Sequence, residues 1–329
     1  MEDSTLKIGW IGLGSMGLAM ATNMQKHLSE KSLPPLHYTN RTLSRGDLLK
    51  SIGGIPCQTV AEVVQNSDLI FISVSDDEAL TTTITSIIAP LTPLTNKTII
   101  DTTTVHPTTT TKVSTLLSSL NATYIAAPVF GATPTAREGK LLMAIGGPPS
   151  AIPTILPYLT GVLARGTIPV GPDPSQALLL KSTSNFITAG LMYLLSEAHV
   201  LAESADLPSS VLESLIEQNF GAYAAGVSKR ITSGSYIAPE GERPSSGLEL
   251  GIKDVGIGVG IAREKGVRLR VGELSLEGME GARAWGEREG NGMVERLDSS
   301  SVFGGVRVAN GLGFESGVVK ERDGGVERE

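Results

Sequence analysis

Gly12-Leu13-Gly14-Ser15-Met16-Gly17 is the stretch of this chain whose residue types and spacing point most directly to chemistry. It fits the pattern G-x-G-x-x-G. It follows a short apolar run, Lys7 to Ile11, and opens Leu18 to Leu28, whose apolar residues recur at helical spacing. A strand, a glycine turn and a helix in that order form the start of a dinucleotide-binding βαβ unit. The first glycine permits the tight turn, the second lets a pyrophosphate approach the backbone, and the third allows close helix–strand packing. The helix N-terminus attracts the anion. All six residues are therefore candidate contacts to a dinucleotide.

The end of the next strand, residues 36–40, discriminates between the two nicotinamide dinucleotides. A site for the unphosphorylated form usually places an acid there to accept from the ribose hydroxyls. This chain has Asn40-Arg41-Thr42-Leu43-Ser44-Arg45, and its next carboxylate is Asp47. Arg41 can stack on adenine and pair with a 2′-phosphate, and Thr42 and Ser44 can donate to it. NADP is the expected cofactor and NAD the less favoured one. The other reading of Arg41 is an ordinary solvated loop residue.

These residues need a scaffold. Leu69 to Val74 is a continuous apolar run, as in a parallel strand covered on both faces. Residues 98–101 and 124–126 read as further strands. Helical patterns lie at 60–66, 77–89 and 108–120. Alternating strands and helices predict an α/β fold: a Rossmann-type, doubly wound parallel sheet over residues 1–172. After the turn cluster Gly171 to Ser175 the pattern changes. A long apolar-rich helix is predicted over 176–205, then helices at 209–219, 248–265 and 273–289, with no strand series. Residues 173–316 are expected to form an all-α substrate and dimerisation domain, although frequent glycine from Gly241 onward weakens each helix there. The charged segment 317–329 is expected to be disordered.

Composition narrows the function classes. The 329 residues carry a net charge of −7, with 40% apolar and 19% charged residues. A mildly acidic globular chain has no general attraction for nucleic acid or anionic lipid, so neither partner is expected. The single cysteine, Cys57, cannot form an internal disulfide, and the acidic N-terminus lacks an apolar leader core. Both point to the cytoplasm. The longest apolar stretch, 187–195, is too short to span a membrane and suits a buried helix. Metal ligation has little support from four scattered histidines and one cysteine. His106, just before Pro107, suits a helix cap at least as well as a general base. His27, His37 and His199 read as structural, and Asp76-Asp77 as a helix cap with dipole complement.

Four blocks stand out together: the glycine turn with Met20, Ala21 and Asn23; Asp101-Thr102-Thr103-Thr104-Val105-His106-Pro107; Ala127-Pro128-Val129-Phe130-Gly131-Ala132 with Gly139 and Leu141; and Lys181 with Asn185, joined by Lys253-Asp254. In this order they resemble the β-hydroxyacid dehydrogenase family, which includes 3-hydroxyisobutyrate dehydrogenase and, more distantly, 6-phosphogluconate dehydrogenase. The resemblance implies that Lys181 is the catalytic lysine and that Asn185 holds substrate or the lysine. It implies that Thr103 and Phe130-Gly131-Ala132 cradle a substrate carboxylate. Val74, Ser75 and Thr104 would line the nicotinamide ribose site, Lys253 would reach the cofactor, and the protein would form a homodimer or homotetramer. Phe130 and Ala132 depart from the family, which usually has a serine and a second glycine there. A lost hydroxyl donor and an added ring imply a larger, more apolar or differently charged substrate.

The chemistry fits these residue types. Hydride transfer between a nicotinamide and an alcohol or carbonyl needs a group that takes or supplies the hydroxyl proton. Lysine can serve when its environment is suitably tuned. Lys181 and Asn185 lie four apart, on one helical face. The expected reaction is hydride transfer between NADP(H) and a small 3-hydroxyacid, semialdehyde or 2-oxo acid. The alternatives are a non-catalytic NADP-binding module and an imine reductase; relatives of the latter kind lack the lysine.

Overall fold

A computed structural model describes residues 6–89, 93–290 and 292–324. The chain divides into two compact units, with Lys181 ending the first and Ser182 beginning the second.

The first unit runs β1 (Ile8–Ile11), α1 (Ser15–Glu30), β2 (His37–Thr39), α2 (Asp47–Ser51), β3 (Ile55–Pro56), α3 (Val60–Gln65), β4 (Leu69–Ile72), α4 (Asp77–Ile88), β5 (Thr98–Asp101), α5 (Pro107–Ser119), β6 (Thr123–Ala126), β7 (Val129–Phe130), α6 (Thr133–Arg137), β8 (Leu141–Gly146), α7 (Ile152–Leu159) and β9 (Ala164–Gly171). The sheet order is β3-β2-β1-β4-β5-β6-β8-β7, with β9 beside β8. From β3 to β6 every pairing is parallel. The order reverses between β1 and β4, which makes a switch point where the loops at the carboxyl ends of the strands diverge and open a crevice. Successive residues feed opposite faces. Ile8, Trp10, Leu69 and Phe71 enter one apolar cluster with α1, whereas Ile11, Ile70 and Ile72 enter another with α4 and α5. Trp10 and Phe71 are register partners, and their rings stack 5.1 Å apart.

Four strands, β3, β7, β8 and β9, are additions to the sequence reading. β8 runs antiparallel to β6 and β7 and parallel to β9, so the sheet is mixed at this end. β9 contains two glycines and Pro169, and it pairs only with β8. A proline that cannot donate to a ladder is tolerated at such an edge, and this composition hid the strand.

α8 (Ser175–Ser204) crosses the division. Its start packs with the sheet: Ala177 and Leu178 are fully buried in the cluster of β4 and β5. The division therefore falls inside the helix rather than at 172/173. The helix does not stop with the apolar stretch at 195 but continues through Ser196, Glu197 and His199 to Ser204. By length and composition alone α8 is long and apolar enough to cross a membrane, and only 33% of its most apolar window is buried. The helix is thus not wholly a core helix, because Ile187, Leu194 and Leu201 are 60, 60 and 71% exposed and recur every seven residues.

The second unit contains α9 (Ser209–Thr232), α10 (Leu248–Glu264), α11 (Arg270–Glu289), α12 (Met293–Arg296), α13 (Val302–Ala309) and α14 (Gly317–Gly324), and among the described residues it has isolated bridges but no β-strand. α9 is broken at Gly221, whose φ of 79° lies outside helical space, and then resumes, which extends it beyond residue 219. The glycines here serve close packing. A Cβ on Gly305 of α13 would meet the Gly278 carbonyl oxygen of α11 at 2.4 Å, and one on Gly278 would meet Val302 at 2.7 Å. The expectation of disorder after residue 316 needs correcting: α14 is helical, with Val319 fully buried. Arg322 pairs with Asp323 and donates to the carbonyls of Gly234 and Ile237. Side-chain pairing offsets the charge that made this segment look unable to order. Residues 325–329 lie outside the described residues.

Candidate active site

The glycine turn sits at the switch point, at the carboxyl end of β1. Gly12 has φ of 97°, and a Cβ there would meet the Ser73 carbonyl oxygen at 2.2 Å. Its N–H donates to the Thr39 carbonyl at 3.0 Å. A Cβ on Gly17 would meet the Gly12 carbonyl oxygen at 2.4 Å. Two glycines are therefore required by the protein's own backbone. Gly14 differs: it caps α1 in an ordinary conformation (φ −63°), and nothing lies within 4 Å of its ideal Cβ. α1 has no side-chain cap and no acid in its first turn. Its first i→i−4 bond runs from Leu18 N–H to the Gly14 carbonyl, so the amides before it face the open space. An anion fits this cradle, and a methyl group at Gly14 would intrude on it.

The loop after β2 is tied to this turn. Asn40 Oδ1 accepts the Leu13 N–H at 2.9 Å, and Nδ2 donates to the Thr42 carbonyl at 2.9 Å. Asn40 thus braces two loops against each other. Arg41, Thr42, Ser44 and Arg45 are exposed beyond it, and Asp47 begins α2.

After β4 and β5 a second set of groups gathers. Val74 N–H donates to Thr103 Oγ1 at 3.3 Å. Ser75 Oγ donates to Asp76 at 2.7 Å, and Asp76 caps α4 through the Ala79 N–H, the expected capping role. His106 caps α5 and its N–H donates to Asp77. The centre of this group is a pair that the sequence reading missed as functional. Asp101 is fully buried. Its Oδ1 accepts the Thr103 N–H at 2.9 Å and its Oδ2 the Tyr124 hydroxyl at 2.8 Å. Burial pushes the Asp101 carboxyl up to about 6, against the hydrogen bonds that lower it, and burial with the adjacent carboxylate raises the Tyr124 phenol. A lone acid ending an apolar strand before three threonines was the available signal; its tyrosine partner on β6 had none.

The third group surrounds Phe130. Gly131 has φ of 129°, and Ala132 stands at the N-cap of α6 with no side-chain cap hydrogen bond. Asn23 of α1 donates to the Ala136 carbonyl of α6 at 2.8 Å, which fixes the base of this loop. The Phe130 ring packs against the apolar cluster of β4 and β5. Lys181 Nζ stands over that ring, 5.4 Å from its centroid, and the lysine is half-buried. One turn further along α8, Asn185 lies in the second unit. Its Nδ2 donates to Asp254 Oδ2 at 3.0 Å, and Lys253 Nζ pairs with Asp254 Oδ1 at 3.1 Å. Asp254 therefore orients both predicted site residues of that unit. His199 is buried there beside Ser228. Among the described residues no cluster of His, Cys, Asp or Glu could hold a metal ion.

A β3-β2-β1-β4-β5-β6 order with a glycine turn and an uncapped helix at the switch point defines a Rossmann-type dinucleotide-binding domain. Residues 7–171 match the family model for the NAD binding domain of 6-phosphogluconate dehydrogenase. The chain belongs to this family of hydroxyacid and semialdehyde dehydrogenases, the β-hydroxyacid dehydrogenases. It is similar to the 2-(hydroxymethyl)glutarate dehydrogenase of Eubacterium barkeri, with 27% identity over 319 residues, covering 92% of this chain and 99% of the relative. It is also similar to the NADH-dependent oxidoreductase ucdB of Aspergillus ustus, 25% identical over 306 residues with the same coverages. Among solved structures, 3-hydroxyisobutyrate dehydrogenase of Mycobacterium tuberculosis with L-serine superposes with a TM-score of 0.76 at 20% identity, covering 92% of this chain and 99% of that one.

Proposed function

We propose that this protein transfers a hydride between NADP(H) and a small 3-hydroxyacid, semialdehyde or 2-oxo acid, with Lys181 as the proton-transfer group. The observation that carries this reading is the half-buried Lys181 amine, held over the Phe130 loop in the same compact unit as the glycine turn. A bound nicotinamide supplies or accepts the hydride. The open amides at Gly14 and the following turn bind pyrophosphate. Arg41 and Thr42, beyond the Asn40 brace, take the 2′-phosphate; no acid stands beside them in sequence. Val74, Ser75 and Thr104 line the ribose. Thr103, held by Asp101, and the 130–132 loop receive the substrate. In reduction the Lys181 ammonium gives its proton to the carbonyl oxygen; in oxidation the amine takes it from the hydroxyl. Asn185 orients the reacting oxygen or the amine, and Lys253 reaches the cofactor. The single thiol, buried Cys57, suits the reducing cytoplasm.

The test is consumption of NADPH and of NADH with a panel of semialdehydes, 2-oxo acids and cyclic imines. Turnover of the oxo compounds with NADPH supports the reading. Turnover of imines alone moves it to imine reduction, and binding without any turnover makes the protein a sensor module. Arg41→Ala should weaken NADP at least ~10-fold more than NAD, the value of one charge-assisted contact; equal loss contradicts the cofactor assignment.

The same reading includes a homodimer or homotetramer. The exposed Ile187, Leu194 and Leu201 form a stripe along α8 that a second copy can cover. Leu194→Glu should then lower the mass in solution. An unchanged monomer, or vesicle binding lost in the variant, would replace this with another role for the stripe.

A further inference from the structure

We infer that Phe130 is a specificity-determining residue that selects substrates carrying an apolar group on the reacting carbon over small unbranched acids. The inference rests on the reading of Lys181 as the proton-transfer group. Its geometry starts from the ring. Lys181 Nζ lies 5.4 Å from the Phe130 centroid, over the face, within the distance at which a cation is attracted by the ring quadrupole. Phe130 packs on the cluster of β4 and β5, together with the partly buried Val74, Val170 and Leu180. The ring is therefore seated, and it remains partly accessible.

A substrate oxygen that receives a proton from Lys181 must come within about 2.6–3.2 Å of Nζ. The carbon bearing that oxygen is one bond further, and its substituents extend from there. With the amine already against the ring, a substituent of the reacting carbon that lies on the ring side of Nζ meets Phe130. An aromatic face repels a carboxylate through its negative quadrupole and offers it no hydrogen bond. Its neighbours Gly131 and Ala132 add no side-chain donor for an acid. An alkyl or aryl substituent meets the same face favourably and loses its contact with water. The acid group, where present, is left to Thr103, whose backbone is fixed by Asp101.

The test compares kcat/KM for a short straight-chain 2-oxo acid with that for 2-oxo acids bearing a branched alkyl or phenyl group at the carbonyl carbon, so that the carbonyl class stays the same. Wild type should favour the apolar analogues by about 10-fold or more, the range one apolar contact gives. Phe130→Ser should reverse or abolish that ratio, and Phe130→Leu, which keeps an apolar wall, should retain most of it. A wild-type preference for the straight-chain acid, or a ratio unchanged in Phe130→Ser, overturns the inference and leaves the dehydrogenase reading standing. The wild-type ratio decides even where a variant fails to fold. No turnover of any oxo compound by wild type removes the dehydrogenase reading itself, and this inference with it.

Discussion

The Asp101 carboxylate accepts the backbone N–H of Thr103 at 2.9 Å, two residues along the chain, and is buried at the carboxyl end of β5. With the Tyr124 hydroxyl on its other oxygen, it fixes the start of the loop that turns Thr103 toward Val74. The carboxyl lies at about 6 rather than 3.8 because burial outweighs its hydrogen bonds. An acid whose pKa rises on folding favours the folded state while protonated. That contribution is complete below about pH 4 and is lost as pH rises through about 6, with a magnitude of ~3 kcal/mol.

Asp101→Asn removes this titration while keeping an acceptor for Thr103. The stability of wild type relative to the variant should therefore fall by ~3 kcal/mol between about pH 4 and pH 7. Thermal melts of both proteins across that range measure it, since other titrating groups cancel in the difference. A pH-independent difference would mean that Asp101 does not titrate as a buried acid.

The glycine turn gives two opposite outcomes. Gly12→Ala places a Cβ at 2.2 Å from the Ser73 carbonyl in a left-handed conformation, and should cost more than about 2 kcal/mol of stability. Gly14→Ala meets nothing within 4 Å and should leave the melting temperature nearly unchanged. It should nonetheless weaken dinucleotide binding by roughly 10-fold or more, because the methyl group stands where the pyrophosphate approaches. Unchanged affinity in Gly14→Ala would place the nucleotide elsewhere.

Asn40→Ala breaks the brace between the glycine turn and the loop after β2, and leaves the Leu13 N–H without its acceptor. A stability loss of about 1–2 kcal/mol and weaker NADP binding should appear together in denaturation and titration. Weaker binding with no stability loss would instead mean that Asn40 touches the nucleotide directly.

Asp254 accepts from Asn185 and pairs with Lys253. Asp254→Ala should lower kcat through Asn185 by ~10-fold or more while NADP affinity moves less. Loss of stability alone, with kcat retained, would reduce this group to a structural role.

Much of this was legible from the residues. β1, β4 and β5 are short, largely apolar runs, and α3, α4 and α5 have clean boundaries because Thr59, Asp76 and His106 cap them. The glycine turn was legible because backbone crowding at Gly12 and Gly17 restricts the residue type. What escaped lies in long-range pairing. Asp101 and Tyr124 meet across neighbouring strands, and Phe130 and Lys181 meet between a two-residue strand and a helix. Neither meeting leaves a periodic trace in sequence. β9 escaped because its glycines and proline suit an edge, and α14 because its order comes from the Arg322–Asp323 pair and buried Val319 rather than from composition.

In the proposed reaction the Lys181 amine moves the substrate proton. The most direct measurement of that step is NADPH affinity and turnover side by side for wild type and Lys181→Ala, on the best substrate of the panel. Affinity in the variant should stay within about 3-fold and kcat should fall by ~100-fold or more, the usual contribution of a general acid. An unchanged kcat with intact NADPH binding would contradict this role.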